Sequence, residues 1–425
     1  MIAICEPECK SFSHEKFNSG FIYGLRLAYP QDKILFYADL SHIEAIKRIL
    51  EQNGITIGDI EYIPIKFLET GSPVAFIQYS LLFYRILSDL VVLGMDKLFL
   101  LSFNSQNLYL IKRLKQRQKF SGIKFTLVCH GIFETIADER IERISLQSIK
   151  ERAIIGRIRQ AKWKRLPRKV INVIKGCYAA LVVYWNNICL KWLPLKKILL
   201  WRQSVDFKYI LLAQQSIVNV RKYIDVKGFS FHTVVLPTIF TEVASRERNE
   251  YVKFAVFGYG YPAMLQKVLS CLSSKKVNRA YEIRIIGMDN SGTEGFSNVT
   301  CPSSGKPLSR KEMEKYVSDI DIFLILYDRS LYRLTCSGSI MEALSYVKPV
   351  LHFDNDCINA FNKKESPIGI CCDSVDRMAD TMAGIINNYS EYVPKLSGYR
   401  DNILTLRKQV AVENNLQQLK DAFTW

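Results

Sequence analysis

Residues 332–350 read Tyr-Arg-Leu-Thr-Cys-Ser-Gly-Ser-Ile-Met-Glu-Ala-Leu-Ser-Tyr-Val-Lys-Pro-Val. The segment DIFLILY (321–327) before them and the overlapping segment KPVLHF (348–353) at their end are short runs of β-branched, aromatic and leucine residues, which read as strands. Strand, helix and strand in about thirty residues imply two parallel strands joined by a crossover helix. Ser337, Gly338 and Ser339 put small, amide-exposing residues at the helix start. Arg329 and Arg333 stand just before, and Glu342 lies about one turn in. That pattern fits a diphosphate met by backbone amides and guanidinium groups, with a ribose hydroxyl pair accepted by Glu342. A second reading uses the same residues: Ser339-x-x-Glu342 is a capping box that satisfies orphan amides without a ligand.

Outward from this stretch the alternation continues. YVKFAVFG (251–258), YEIRIIG (281–287) and IGICC (368–372) complete the strands of one α/β unit. MIAIC (1–5), KILFYAD (33–39), IEYIPI (60–65), KLFLLSF (97–103), KFTLVCH (124–130), FKYILLA (207–213) and HTVVLP (232–237) read as the strands of another. Strands alternating with helical spacing, as in 42–52 and 107–118, predict parallel sheets covered on both faces. The polar run TEVASRERNE (241–250) marks the junction. The fold class expected is therefore α/β, with two Rossmann-like doubly wound domains facing a central cleft at the carboxyl ends of their strands. Residues 1–240 form the first domain, 241–402 the second, and a closing helix at 403–425 returns to the first. Gly258-Tyr259-Gly260-Tyr261-Pro262-Ala263 is a G-x-G-x-x-A turn leading into a helix. Gly258 and Gly260 let amides approach a phosphate. Glu282 opens its strand instead of closing it, so the acid of a dinucleotide fingerprint is missing, and a sugar nucleotide is favoured over NAD.

The 425 residues carry 58 Lys and Arg against 41 Asp and Glu, a net charge of +17, which points to an anionic partner. Fourteen of those cations lie in residues 150–202 beside a single acid, Glu151, with four of the five tryptophans. Val170, Ile174, Tyr178, Leu181, Trp185, Ile188 and Trp192 advance by threes and fours, the spacing of one helix face. Only fifteen residues separate Lys175 from Lys191, too few to span a bilayer. A basic amphipathic segment with tryptophan anchors suits an anionic membrane surface, although packing on the protein's own core and RNA binding use the same pattern. Eleven cysteines form no repeated C-x-x-C pair and no leader-like start is visible, so a reduced, cytoplasmic chain, peripheral on the inner face of the cell membrane, is expected.

In the first domain, Cys129-His130-Gly131-Ile132-Phe133-Glu134 follows a strand, as does the loop Ser13-His14-Glu15-Lys16. His130, Glu134, His14 and Glu15 are rival candidates to contact the sugar or take an acceptor proton. Cys5, Cys9 and His14 lack a fourth ligand for zinc. Asp319-Ile320-Asp321 precedes its strand and Asp354-Asn355-Asp356 comes late, so no metal site is expected. Neither a P-loop nor a G-x-S-x-G elbow is present.

The run S-G-S-x-x-E-A-L-x-x-x-K-P-V (337–350) resembles the donor-site helix of bacterial GT-B glycosyltransferases, especially those that build surface polysaccharides such as lipopolysaccharide, O-antigen or capsule. The Gly258 turn and the closing helix stand in the order that resemblance implies. By resemblance Glu342 binds the nucleotide ribose, and Ser337, Gly338 and Ser339 meet the diphosphate. The implied activity is metal-independent, hexosyltransferase-like transfer from a nucleotide-diphosphate sugar, a co-substrate with no further cofactor, to a lipid-linked or polysaccharide acceptor. No nucleic acid is an expected partner of such an enzyme. Retaining members often carry a second glutamate eight positions before the ribose-binding one; here that place is Leu334, and the common glycine before Lys-Pro is Val347. Retention or inversion therefore stays open. The competing class is a non-catalytic polyanion-binding protein whose α/β units are scaffolding for the basic segment.

Overall fold

The computed structural model describes residues 1–425 apart from 57, 69–71, 139–180, 183, 190, 242–248, 258–260, 288–291, 304–307 and 309. Gly258 and Gly260, most of the basic segment and most of the 241–250 junction thus lie outside the described residues. Two compact units emerge, Met1–Ile239 with Asn415–Trp425, and Phe240–Asn414.

The first unit holds seven strands: β1 (Ile2–Glu6), β2 (Ile34–Ala38), β3 (Ile60–Pro64), β4 (Lys97–Leu100), β5 (Lys124–Cys129), β6 (Phe207–Leu211) and β7 (Ser230–Thr233). Their order is β3-β2-β1-β4-β5-β6-β7 and every pairing is parallel. The central strands are apolar almost throughout because helices cover both faces; each residue of β1 and β2 is buried. Helices α1 (Glu15–Ala28), α2 (Leu40–Gln52), α3 (Pro73–Val92), α4 (Ser105–Lys115), α5 (Leu195–Leu200) and α6 (Gln214–Val220) make the connections described. Their starts follow local chemistry. Asp39 accepts from the Ser41 amide (3.0 Å), Ser72 from that of Ala75 (3.1 Å) and Asn104 from that of Asn107 (2.9 Å). Gly20 in α1 is required by close approach, since a Cβ there would sit 2.3 Å from the Pro237 carbonyl oxygen. Lys112 of α4 is buried and donates to the carbonyls of Ile198, Leu199 and Trp201 (2.8–3.0 Å), tying down the end of α5.

The second unit holds β8 (Lys253–Phe257), β9 (Glu282–Ile286), β10 (Val299–Thr300), β11 (Ile322–Ile325), β12 (Val350–Phe353) and β13 (Gly369–Cys372), all parallel in the order β10-β9-β8-β11-β12-β13. Helices α7 (Pro262–Ser273), α8 (Arg310–Ser318), α9 (Gly338–Ser345), α10 (Asp356–Asn359), α11 (Val375–Asn387) and α12 (Tyr389–Val410) accompany them. Phe254, Val256, Leu265, Leu269, Leu324 and Met378 belong to one buried cluster between sheet and helices. A last helix, α13 (Leu416–Phe423), belongs to the first unit, where Phe423 meets Phe21 (5.6 Å) and Phe99 (4.3 Å).

One boundary is corrected, and two further details add to the sequence reading. The returning segment starts at Asn415, not 403, because α12 runs on to Val410 and the chain then breaks at extended Ala411 (ψ 143°). The strand β10 was not expected, being only two residues long. Along the described part of the anticipated stripe Leu181 and Trp192 are exposed and Trp185 and Ile188 half-buried, while the buried positions described between 181 and 192 are Val182, Asn186 and Cys189.

Candidate functional site

In a doubly wound sheet, ligands bind beyond the carboxyl ends of the strands, where the strand order reverses. That point lies between β1 and β4 in the first unit and between β8 and β11 in the second.

At the first of these edges the residues after β1, β2, β4 and β5 converge. Glu6, the last residue of β1, is buried and accepts from the Asn18 amide nitrogen (3.1 Å), the Glu8 backbone amide (2.9 Å) and the Ser102 hydroxyl. Asn18 also donates to His42 Nε2 (2.8 Å), whose Nδ1 donates to the Ser11 carbonyl (2.9 Å); the tautomer is fixed by that network. Glu8 accepts from Asn107 (2.8 Å) and from Asn104. Burial, and next the Glu6 carboxylate, push the Glu8 carboxyl up to about 8. A protonated carboxyl is thus held near neutral pH beside an acidic neighbour.

His14 precedes α1 in a left-handed conformation (φ 54°) and its ring meets that of His130 at 4.9 Å, edge to face. Phe17 packs on His130 at 4.3 Å. Both imidazoles are held below their ordinary range. For His14 desolvation leads, opposed by Glu6 and reinforced by His42; for His130 burial leads, followed by His14. Two of the four expected acid–base residues are therefore brought together as neutral rings. Glu15 lies in the first turn of α1, next to His14 in sequence. Glu134 is corrected: it sits in the 3-10 turn Gly131–Ile136 and is 7% exposed, so an acceptor hydroxyl has little access to it.

At the edge of the second unit, the loop from Leu326 to Ser337 leads into α9. Ser337 is the N-cap, accepting from the Ser339 amide (3.2 Å), which moves the cap two residues ahead of the Ser339-x-x-Glu342 box. It is fully buried, and its amide donates to Cys357 Sγ (3.3 Å). Its hydroxyl bonds to the Tyr327 hydroxyl (3.3 Å), which donates to Ser339 Oγ (2.7 Å), which donates to the Phe257 carbonyl (3.3 Å). Ser337 is therefore corrected from ligand contact to cap, because its polar atoms are engaged within the protein. Gly338 is exposed, and a Cβ there would meet nothing within 4 Å, so the first turn of α9 opens onto free space. Ser339 and Glu342 are half-buried behind it.

Arg329 is 79% exposed and paired with Asp354, while Arg333 is half-buried. Three tyrosines ring the loop: Tyr261 meets Tyr327 at 5.5 Å, and Tyr332 tilts against Tyr327 at 4.5 Å. Tyr332 has φ 54°, a left-handed backbone uncommon for a bulky residue, and burial raises its hydroxyl pKa. Leu334 is buried in the core. Val347 occupies the left-handed position (φ 51°) after α9 where glycine is usual, closed by Lys348 N–H to Ala343 O (2.9 Å) and Val347 N–H to Leu344 O (3.1 Å). Lys348 is buried on the carbonyls of Ser318 (2.9 Å) and Ile320 (2.8 Å).

The Asp319 and Asp321 pair is engaged elsewhere. Asp319 binds Arg284 and Lys253 (both 2.6 Å), and Asp321 accepts from Tyr389 (2.8 Å). Glu282, at the amino end of β9, pairs with Arg284 (2.8 Å). Among the described residues, no group of three or more His, Cys, Asp or Glu is placed to hold a metal ion. A shallow recess of about 570 Å³ lined by Arg284, Thr300, Lys315 and Asp319 lies toward the amino ends of the strands, away from this loop.

The sequence matches no protein-family model and no curated protein. Solved structures similar to it include HepE from Anabaena in complex with UDP-glucose, at TM-score 0.56 and 12% identity over 99% of this chain and 98% of that one. WaaG, a glycosyltransferase involved in lipopolysaccharide biosynthesis, gives 0.53 and 10% over the whole of both chains (100% and 100%). A glycosyltransferase from Rickettsia africae gives 0.51 and 10% over 99% of this chain and 97% of that one. The chain has the GT-B fold. Within that fold, the loop and first turn of α9 are the open edge of the second unit, and the Glu6–Glu8 network is the acidic edge of the first. Sequence reading missed Glu6, Glu8, Asn18 and His42, because Glu6 closes an apolar strand, Glu8 is held by Asn104 and Asn107 from far along the chain, and Asn18 and His42 reach the same edge only from helices α1 and α2. Tyr327 and Tyr332 were passed over as strand and loop residues, although three tyrosines near one strand end were a visible signal.

Proposed function

We propose that the protein is a glycosyltransferase that moves a sugar from a nucleotide diphosphate to a lipid-linked or polysaccharide acceptor during bacterial surface-glycan synthesis, on the cytoplasmic face of the cell membrane. The observation that carries this reading is the open first turn of α9 at the strand-order reversal, with Gly338 exposed and Glu342 behind it. Its likeness in fold to HepE, solved with UDP-glucose, supports the same reading.

In this reading the amide of Gly338 faces the diphosphate, with the helix N-terminus adding partial positive charge, while the Ser339 hydroxyl stays in the chain from Tyr327 to the Phe257 carbonyl. Arg333 and Arg329 supply the cations that a metal would otherwise supply. Glu342 accepts the ribose hydroxyls, and the tyrosine cluster gives the base an aromatic face. The acceptor oxygen bonds to the sugar's anomeric carbon as the bond to the β-phosphate oxygen breaks. The nucleoside diphosphate leaves with that electron pair, and the acceptor proton passes to a base. At the carboxyl edge of the first sheet, His14, neutral and beside His130, has the chemistry of a base, with Glu15 next in sequence. Glu8 in its protonated form is a hydrogen-bond donor at the same edge.

The Glu342→Ala variant tests the donor site. Isothermal titration with UDP is expected to show affinity at least about tenfold weaker, the loss of one strong charge-assisted bond pair, with an unchanged unfolding midpoint. Unchanged affinity in the folded variant would remove the site. Product NMR after incubation with activated sugars and a synthetic lipid-diphosphate acceptor then reads the transfer.

A further inference from the structure

Helix α3 is the one described helix long and apolar enough to cross a bilayer. Its inner face is nevertheless built into the first unit: Ala75, Phe83, Leu87 and Leu90 are fully buried, and the Tyr79 hydroxyl lies 2.7 Å from the Leu68 carbonyl and 3.1 Å from that of Pro7. Its outer face is the unusual one. Val74, Ile77, Leu81, Tyr84, Val91 and Val92 follow helical spacing and all are exposed, Ile77 by 60%, Leu81 by 66% and Val92 by 83%. An apolar stripe of this length on a folded unit, broken only at Arg85 and Ser88, marks an interaction surface.

The stripe is edged by cations. Arg85 is the helix's single cation and Asp89 its single acid. From the turn after α4, exposed Arg117 stands over the Tyr84 ring at 5.5 Å, and exposed Lys119 stands over the same ring at 5.4 Å while donating to Ser88 Oγ (3.0 Å). The same side of the unit carries further aromatic–cation pairs. Phe76 of α3 meets Trp185 at 5.2 Å, and through Tyr109 it reaches Trp201, which has Arg202 at 5.0 Å. Exposed Trp192 has Lys197 at 5.3 Å. Aliphatic side chains flanked by ring–cation pairs match a bilayer interface, where acyl chains lie beneath headgroups and anionic phosphates attract the cations.

We propose that the outer face of α3 docks on an anionic lipid bilayer, with the helix lying in the plane of the interface. Charge selects this occupant over a second copy of the chain: two such faces would bring Arg85, Arg117 and Lys119 against their own kind with only Asp89 to oppose them. A spanning pose is ruled out by the inner face, which would have to leave the core. The inference deepens the membrane part of the reading above and rests on it for its biological sense, but its test needs no sugar transfer. It also centres docking on α3 rather than on the basic 150–202 segment.

The experiment is co-sedimentation of the full chain with vesicles of phosphatidylglycerol and phosphatidylcholine, and with phosphatidylcholine alone. Wild type is expected to partition at least about tenfold better onto the anionic vesicles, and less so at high salt. The triple variant Ile77→Ser, Leu81→Ser, Val92→Ser is expected to lose about tenfold in partitioning while keeping its unfolding midpoint and UDP affinity. The pair Arg117→Glu, Lys119→Glu is expected to abolish the preference for anionic lipid and its salt dependence. Vesicle binding unchanged in the triple variant overturns the proposal and leaves the basic segment as the docking element. A triple variant that changes from dimer to monomer by light scattering, with vesicle binding intact, overturns it in favour of a copy-to-copy interface. Loss of UDP affinity in wild type with normal vesicle binding would instead sink the donor-site reading and leave this one standing.

Discussion

At the carboxyl edge of the first sheet two glutamates, Glu6 and Glu8, are held by Asn18, Ser102 and Asn107, with His42 bonded through Asn18. At the same edge of the second sheet the groups are hydroxyls, an exposed glycine at a helix start, three tyrosines and two arginines. The scaffolds are alike, so the difference lies in what the strand-end loops carry. In the proposed reading a diphosphate suits the second edge better than the first. An edge with a protonated carboxyl and two neutral imidazoles is suited to hydroxyls and proton transfer. The comparison thus divides the proposed labour by charge.

Removing the titrating carboxyl is the harshest way to probe the acidic edge. Because folding raises the Glu8 pKa to about 8, the folded state holds more protons than the unfolded one from the ordinary carboxyl range upward. The stability this proton gives is fully present below about pH 4.3 and is lost as pH rises through 8. Glu8→Gln removes that dependence. Urea unfolding at pH 5 and pH 9 is expected to show a stability loss smaller by about 2 kcal/mol in the variant than in wild type, a figure reduced for the partial exposure of the side chain. Equal losses in both would mean that Glu8 titrates as an ordinary surface acid.

A milder change sharpens the other edge. Ser337→Ala deletes the buried cap of α9, and unfolding free energy is expected to fall by about 1 kcal/mol with UDP affinity within about twofold of wild type. Loss of affinity at unchanged stability would return Ser337 to the ligand.

How far the sequence carried this picture differs between elements. Strands such as ILFYA and FKYIL announce themselves, because a strand buried on both faces must be apolar along its length. Val299–Thr300 does not, since two residues hold no period. The stretch from Asp401 onward reads as one helix, yet it breaks at Ala411 so that Phe423 can meet Phe21 and Phe99, a tertiary demand with no local trace. The donor-side loop was legible because small residues at a helix start have a local reason to be there, whereas the choice of Ser337 over Ser339 as cap depended on Cys357 and Tyr327. The acidic edge was illegible because Glu6, Asn18, His42 and Ser102 come together only when β1, β2 and β4 lie side by side. Val347 shows the converse, a departure visible in sequence whose left-handed backbone the structure confirms as a glycine-like position.

Amide hydrogen exchange with and without saturating UDP tests the division of labour most directly. The account predicts added protection in residues 326–345, around the start of α9, and none in residues 6–18 at the acidic edge. Protection confined to residues 6–18, with the α9 turn unchanged, would contradict it.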